Sequence, residues 1–132
     1  MIRFFANDHE AHSAAARNLI RMASTGAMVL VVPFTAISET VFTLRKLYKH
    51  SRHETVKQMQ RLLSAKGIKT AAPSWISDAL EEYAKSVVSF GDACIAAEAR
   101  HLGLAVATFD SDFDSLPGIV RLNPLAVESG HV

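Results

Sequence analysis

The stretch FGDACIAAEARHLGLAVATFDSDF, residues 90–113, decides how the chain reads. DACIAAEARHLG has the small-residue composition of a tightly packed helix closed by Gly103, and LAVAT behind it is a short apolar run suited to a buried strand. Asp110, Asp112 and Asp114 follow that run directly. Helix, strand and carboxylates in succession point to an α/β protein, because ligands of such folds sit outside the carboxyl ends of parallel strands.

The flanking sequence repeats the alternation. HEAHSAAARNLIRMA (9–23) reads as a helix, and MVLVV (28–32) is a β-branched strand ending at Pro33. Pro33 suits a first helical position, and Phe34, Ile37, Val41, Leu44 and Tyr48 then recur at helical spacing. Ser51 with Glu54 forms a capping-box signature for a second helix through Val56, Met59, Leu62 and Leu63, ending near Gly67. GIKTAA (67–72) is a weak strand candidate, Pro73 begins a helical run through SWISDALEEYAKSVV (74–88), and GIVRL (118–122) is a last strand. Short apolar strands separated by helices predict an α/β fold with a mainly parallel sheet covered on both faces, in one domain over 1–132.

Composition sets limits on function. With 132 residues and 49% hydrophobic content the chain suffices for an ordinary core. It has no apolar run of membrane-spanning length and no signal-peptide pattern, so no membrane association and a cytoplasmic location are expected. The single cysteine, Cys94, lies in the apolar run ACIAA and reads as a packed thiol. The net charge of +1 hides an asymmetry: residues 45–69 hold eight Lys or Arg against one acid, whereas residues 70–132 hold nine acids against three bases. A basic stretch suits phosphate backbones and an acid cluster suits divalent metals, a pairing that hints at nucleic acid, although a lysine-rich solvated face reads equally well.

Three acids outside ordinary surface patterns are candidates for that chemistry. Glu39 lies in the second turn of the helix after Pro33, with Thr35, Ala36, Phe42 and Thr43 at helical reach, so it lacks a basic partner and is expected to be buried or ligand-bound more often than a typical surface glutamate. Asp92 opens the ACIAA helix, where simple N-capping is the bland reading. Asp110 follows a strand, and Asp112 stays open with it, whereas Asp114 reads as a polar turn residue. Together Glu39, Asp92 and Asp110 would suit a hard divalent cation bound through few carboxylates and several waters. The pairs His9/His12 and His50/His53 have helical spacing but no third ligand. A phosphoacceptor or phosphatase-like domain would place its aspartate after an early strand, and MVLVVP has none.

SETVFTLRKLY, FGDACIAAEARHLG and LAVATFDSDF, in this order and spacing, resemble the PIN-domain family, most closely the VapC-type ribonuclease toxins of bacterial VapBC toxin–antitoxin pairs. RFFANDHEAHSAAARNLI is similar to the family's first helix. The resemblance implies a three-layer α/β/α fold and Mg²⁺- or Mn²⁺-dependent endonucleolytic cleavage of RNA. It also implies a homodimer and inhibition by a cognate antitoxin. Carried over by position, Glu39, Asp92 and Asp110 would hold the metal, Asp112 would add a further catalytic acid, and Thr108 would support them through its hydroxyl. Arg45, Lys46, Lys49 and Arg52 are the candidate RNA contacts.

One departure from the family pattern stands out. The family begins with a strand bearing a D-x-N motif, whereas this sequence starts at Met1, just after the matching position. The resemblance thus implies that the first, central strand and its metal aspartate are missing from this chain, either because Met1 is an internal methionine of a longer product, the favoured reading, or because the chain is natural and degenerate. The gap would be filled by another chain or by neighbouring segments. The alternative function is a catalytically inactive PIN-like module that binds an antitoxin or RNA without cleaving it.

Overall fold

Val32, Pro33 and Phe34 carry the chain from strand to helix in three residues. Val32 is the last strand residue, Pro33 is extended at φ −76° and ψ 160°, and Phe34 opens the helix. Proline was expected inside the first turn; it stands instead one position earlier, as N-cap, where its carbonyl accepts from the amides of Ala36 and Ile37. The computed structural model describes residues 10–128, which divide into two compact units, one within residues 1–73 and one within 74–132.

The first unit contains α1 (Glu10–Ser24), β1 (Leu30–Val32), α2 (Phe34–Lys46), α3 (Arg52–Ser64) and β2 (Ile68–Thr70). β1 and β2 pair in parallel, Leu30 opposite Ile68 and Val32 opposite Thr70. Ile37, Val41 and Leu44 of α2 are fully buried, as is Met59 of α3, each contributing roughly 1.5–3 kcal/mol of burial. The expected stripe is therefore observed at its centre, with Thr40 joining the buried side. The Ser51–Glu54 capping box is formed as expected: the Ser51 hydroxyl accepts from the Glu54 amide at 3.0 Å, and the Glu54 carboxylate accepts from the Ser51 amide. These bonds hold the Glu54 carboxyl below its ordinary value. α3 ends at Ser64, before Gly67, because Ala65 already turns to extended backbone and Gly67, at φ 82°, feeds the chain into β2.

The second unit contains α4 (Ile76–Lys85), α5 (Phe90–Leu102), β3 (Val106–Ala107), a 3-10 helix (Ser111–Ser115), β4 (Arg121–Leu122) and a short α6 (Pro124–Glu128). α4 begins three residues after Pro73, since a turn at Ser74 and Trp75 intervenes. β3 and β4 are parallel, Val106 opposite Arg121 and Ala107 opposite Leu122. Ala93, Ala96, Ala97 and Ala99 of α5 are buried, and small side chains there let α4 pack closely. Tyr83 meets Phe90 edge to face, with ring centroids 5.6 Å apart. Arg100 braces this packing: its guanidinium donates to Asp78 at 3.1 Å, to Glu82, and to the Pro117 carbonyl at 2.7 Å. Gly103 closes α5 in the left-handed conformation at φ 67°, as its place after HL predicts.

Both strand pairs are parallel and separated by helices, so the chain is α/β, as expected. The strands are shorter than their apolar runs suggest. Among the described residues no helix is long and apolar enough to cross a membrane.

Candidate active site

In the second unit the strand end is the organising feature. β3 stops at Ala107, and the Thr108 hydroxyl accepts from the Asp110 amide at 3.1 Å, fixing the backbone that follows the strand. Asp110 is the N-cap of the 3-10 helix, and its Oδ1 accepts from the Asp112 amide at 2.9 Å. One carboxylate oxygen of Asp110 is thus committed to shaping the turn, and Oδ2 belongs to an exposed residue and makes no hydrogen bond among the described residues. Asp112 stands on the same turn, exposed, its carboxylate in no ion pair among the described residues.

Asp114 behaves differently, as its reading as a turn residue anticipates. Arg121 grips both of its oxygens, at 2.9 and 3.1 Å, and this fork holds the Asp114 carboxyl below the usual carboxylate range. Arg121 also donates to the Thr108 carbonyl at 3.2 Å, and the charge of Asp110 acts on it too, so it ties β4 to the end of β3. This supporting role was not legible in the sequence, because only the parallel register brings Arg121 level with the turn.

Asp92 lies at the third residue of α5. The helix is capped not by Asp92 but by Ser89, whose hydroxyl accepts from the Asp92 amide at 3.0 Å. The capping explanation for Asp92 therefore fails, and its carboxylate, half-exposed in the first turn, makes no ion pair among the described residues. The positive end of the helix dipole favours a negative group there.

Glu39 belongs to the first unit, on α2. Burial was one of the two expectations for it; it is exposed instead, on the face opposite Ile37, Val41 and Leu44, and it too makes no ion pair among the described residues. At the α2–α3 corner Lys46 and Lys49 are exposed, and Lys49 adopts the left-handed conformation at φ 56°. Arg45 is half-buried and spends a guanidinium hydrogen bond on the His50 carbonyl at 2.7 Å, while Arg52 opens α3.

Compared with protein-family models, residues 1–119 match the PIN domain. The chain belongs to the PIN domain family. No curated protein and no solved structure matches it. The PIN domain is generally a nuclease fold, one that uses divalent metals, and the chemistry of the acids here is consistent with that. Asp92, Asp110 and Asp112 of the second unit, and Glu39 by itself in the first, offer oxygen donors only, are solvent-accessible and make no ion pair among the described residues, the donor chemistry that a hard, hydrated divalent cation takes. Among the described residues no group of three or more His, Cys, Asp or Glu side chains stands close enough to hold a metal ion, so the expected convergence of Glu39, Asp92 and Asp110 is not seen, nor does either histidine pair find a third ligand; His9 lies outside the described residues.

Proposed function

We propose that this PIN-domain chain is a Mg²⁺- or Mn²⁺-dependent endoribonuclease, the toxin of a type II toxin–antitoxin pair, acting as a homodimer in the cytoplasm until a cognate antitoxin binds. The observation that carries the reading is the state of its acids. Those matching the family pattern, Glu39, Asp92, Asp110 and Asp112, have no ion pair among the described residues, whereas Asp78, Glu82 and Asp114 are bound by arginines. Glu81 and Glu98 are exposed as well, but they do not match the family pattern.

Glu39, Asp92 and Asp110 would hold the metal, with Asp112 beside them. A bound divalent ion supplies charge that activates water and neutralises the phosphodiester. The chain's own contribution is placement. Thr108 and the Asp112 amide restrict Asp110 so that Oδ2 is the oxygen left for a ligand, and the first turn of α5 presents Asp92. Arg45, Lys46, Lys49 and Arg52 would attract the RNA backbone from the α2–α3 corner.

The test is Mn²⁺-dependent cleavage of structured and unstructured RNA by the wild-type chain and by Asp92→Asn prepared identically. Cleavage by the wild type alone supports the reading. Equal cleavage by both would place the activity elsewhere, and absence of cleavage in both would favour a binding module over a nuclease.

A further inference from the structure

Phe42 is 63% exposed on α2, although the same helix buries Ile37, Val41 and Leu44 on its other face. Leaving an aromatic ring in water forgoes the burial that the ring would gain in a core. Its place on the helix is specific. Phe42 stands three residues after Glu39 and four before Lys46, so the three share one exposed face, neighbours about 5–6 Å apart between Cβ atoms. A carboxylate, an aromatic ring and a cation are thereby set in a row. Lys49, Arg52 and Lys57 extend the positive charge beyond the helix end, and Glu39 is the only acid of α2.

We propose that Phe42 is a substrate-positioning residue on which an unpaired base of single-stranded RNA stacks, with the adjoining phosphate on Lys46. The inference rests on the nuclease reading above and deepens it by naming a residue that positions the substrate. Each part of the row matches one part of a nucleotide. The ring offers a flat apolar face to a base, the lysine offers a charge to the phosphate, and the order along the helix directs the chain of nucleotides toward Glu39. Bases in a duplex are already stacked and cannot reach such a ring, so loops and single strands are selected. A second protein copy or an antitoxin would use the same face through apolar burial alone, without need of a planar group or of Lys46, and the basic surround favours the nucleic acid.

The experiment measures fluorescence anisotropy of a labelled unstructured oligoribonucleotide in EDTA with the full chain, its Phe42→Ala, Phe42→Leu and Phe42→Trp variants, and Asp92→Asn. Circular dichroism verifies that each is folded. The expected result is binding about tenfold weaker for Phe42→Ala and for Phe42→Leu, wild-type binding for Phe42→Trp, and a blunt-ended, loop-free RNA duplex insensitive to all three. In cleavage assays Phe42→Ala raises KM more than it lowers kcat. Binding by Phe42→Ala within twofold of wild type overturns the inference, and leaves the nuclease reading standing if Asp92→Asn abolishes cleavage. Full binding by Phe42→Leu overturns it as well, since apolar area without a planar ring would then suffice. A change of sedimentation mass in Phe42→Ala would assign the ring to a protein interface and likewise overturn it. A wild-type chain that neither binds nor cleaves RNA removes both readings.

Discussion

The Ser89 hydroxyl accepts from the Asp92 amide at 3.0 Å, so capping of α5 and the negative charge of its first turn reside on different residues. Substituting each therefore separates stability from activity. Ser89→Ala removes the cap and lowers stability by about 1 kcal/mol, read as a fall of a few degrees in Tm. Asp92→Asn keeps the shape and the cap and loses only the dipole interaction, at most about 1 kcal/mol. It should abolish metal-dependent RNA cleavage. Thermal melts beside cleavage assays check the pair, and a Ser89→Ala protein that is folded yet inactive would contradict it.

The fork from Arg121 to Asp114 gives a pH prediction. Hydrogen bonding to the guanidinium lowers the folded-state pKa of Asp114. A lowered carboxyl contributes stability above its unfolded-state value, near 3.9, and loses it as the pH falls through the folded value. Asp114→Asn should thus lower Tm at neutral pH, with the difference from wild type shrinking as acid protonates the Asp114 carboxylate. Asp114 is largely exposed to solvent, so salt should weaken the effect too. RNA cleavage by Asp114→Asn should persist, which distinguishes it from Asp110→Asn.

Much of the architecture was legible because its signals are local. The Ser51–Glu54 box, the spacing of Ile37, Val41 and Leu44, and Gly103 after HL each encode their structure within a few residues. What was missed depends on distant chain. Ser89 displaced Asp92 as cap because Ser89 is the extended residue at the helix entrance and the helix already starts at Phe90, whose ring meets Tyr83 across the α4–α5 turn. Arg121 supports the Thr108–Asp114 turn only through the register of β3 and β4. Of the site, the sequence disclosed which acids lack partners on their own helix; that Glu39 is exposed depends on which face of α2 the rest of the unit covers.

Gly67 predicts a large stability effect far from the chemistry. It sits at φ 82°, its carbonyl accepts from the Leu30 amide at 2.9 Å, and a Cβ there would overlap the backbone carbonyl of Ala23 at the end of α1. Backbone, unlike a side-chain tip, has no rotamer by which to yield. Gly67→Ala should therefore destabilise by more than about 2 kcal/mol, through both the left-handed strain and the clash. Gly103→Ala is the control: its φ is also positive, at 67°, but nothing lies within 4 Å of the added Cβ, so only the conformational strain remains and the loss is smaller. Urea denaturation of both variants measures the difference.

Cys94 supplies a prediction with the opposite pH sign. It is buried in α5, and burial, assisted by the charge of Glu98, pushes its thiol up to about 12. At pH 8 the thiolate is then roughly a thousandfold scarcer than in the unfolded chain. An aromatic disulfide reagent should react with the native protein slowly, at a rate set by transient opening, and rapidly once denaturant is added. Because the folded value is raised, the neutral thiol contributes stability below the unfolded-state value of about 8.5, and that stability is lost as the pH rises beyond it. Cys94→Ala should flatten the decline in Tm between about pH 8 and pH 10 relative to wild type. Fast native labelling would instead show that α5 opens readily, and the first turn bearing Asp92 would then lack the fixed placement that the nuclease reading requires of it.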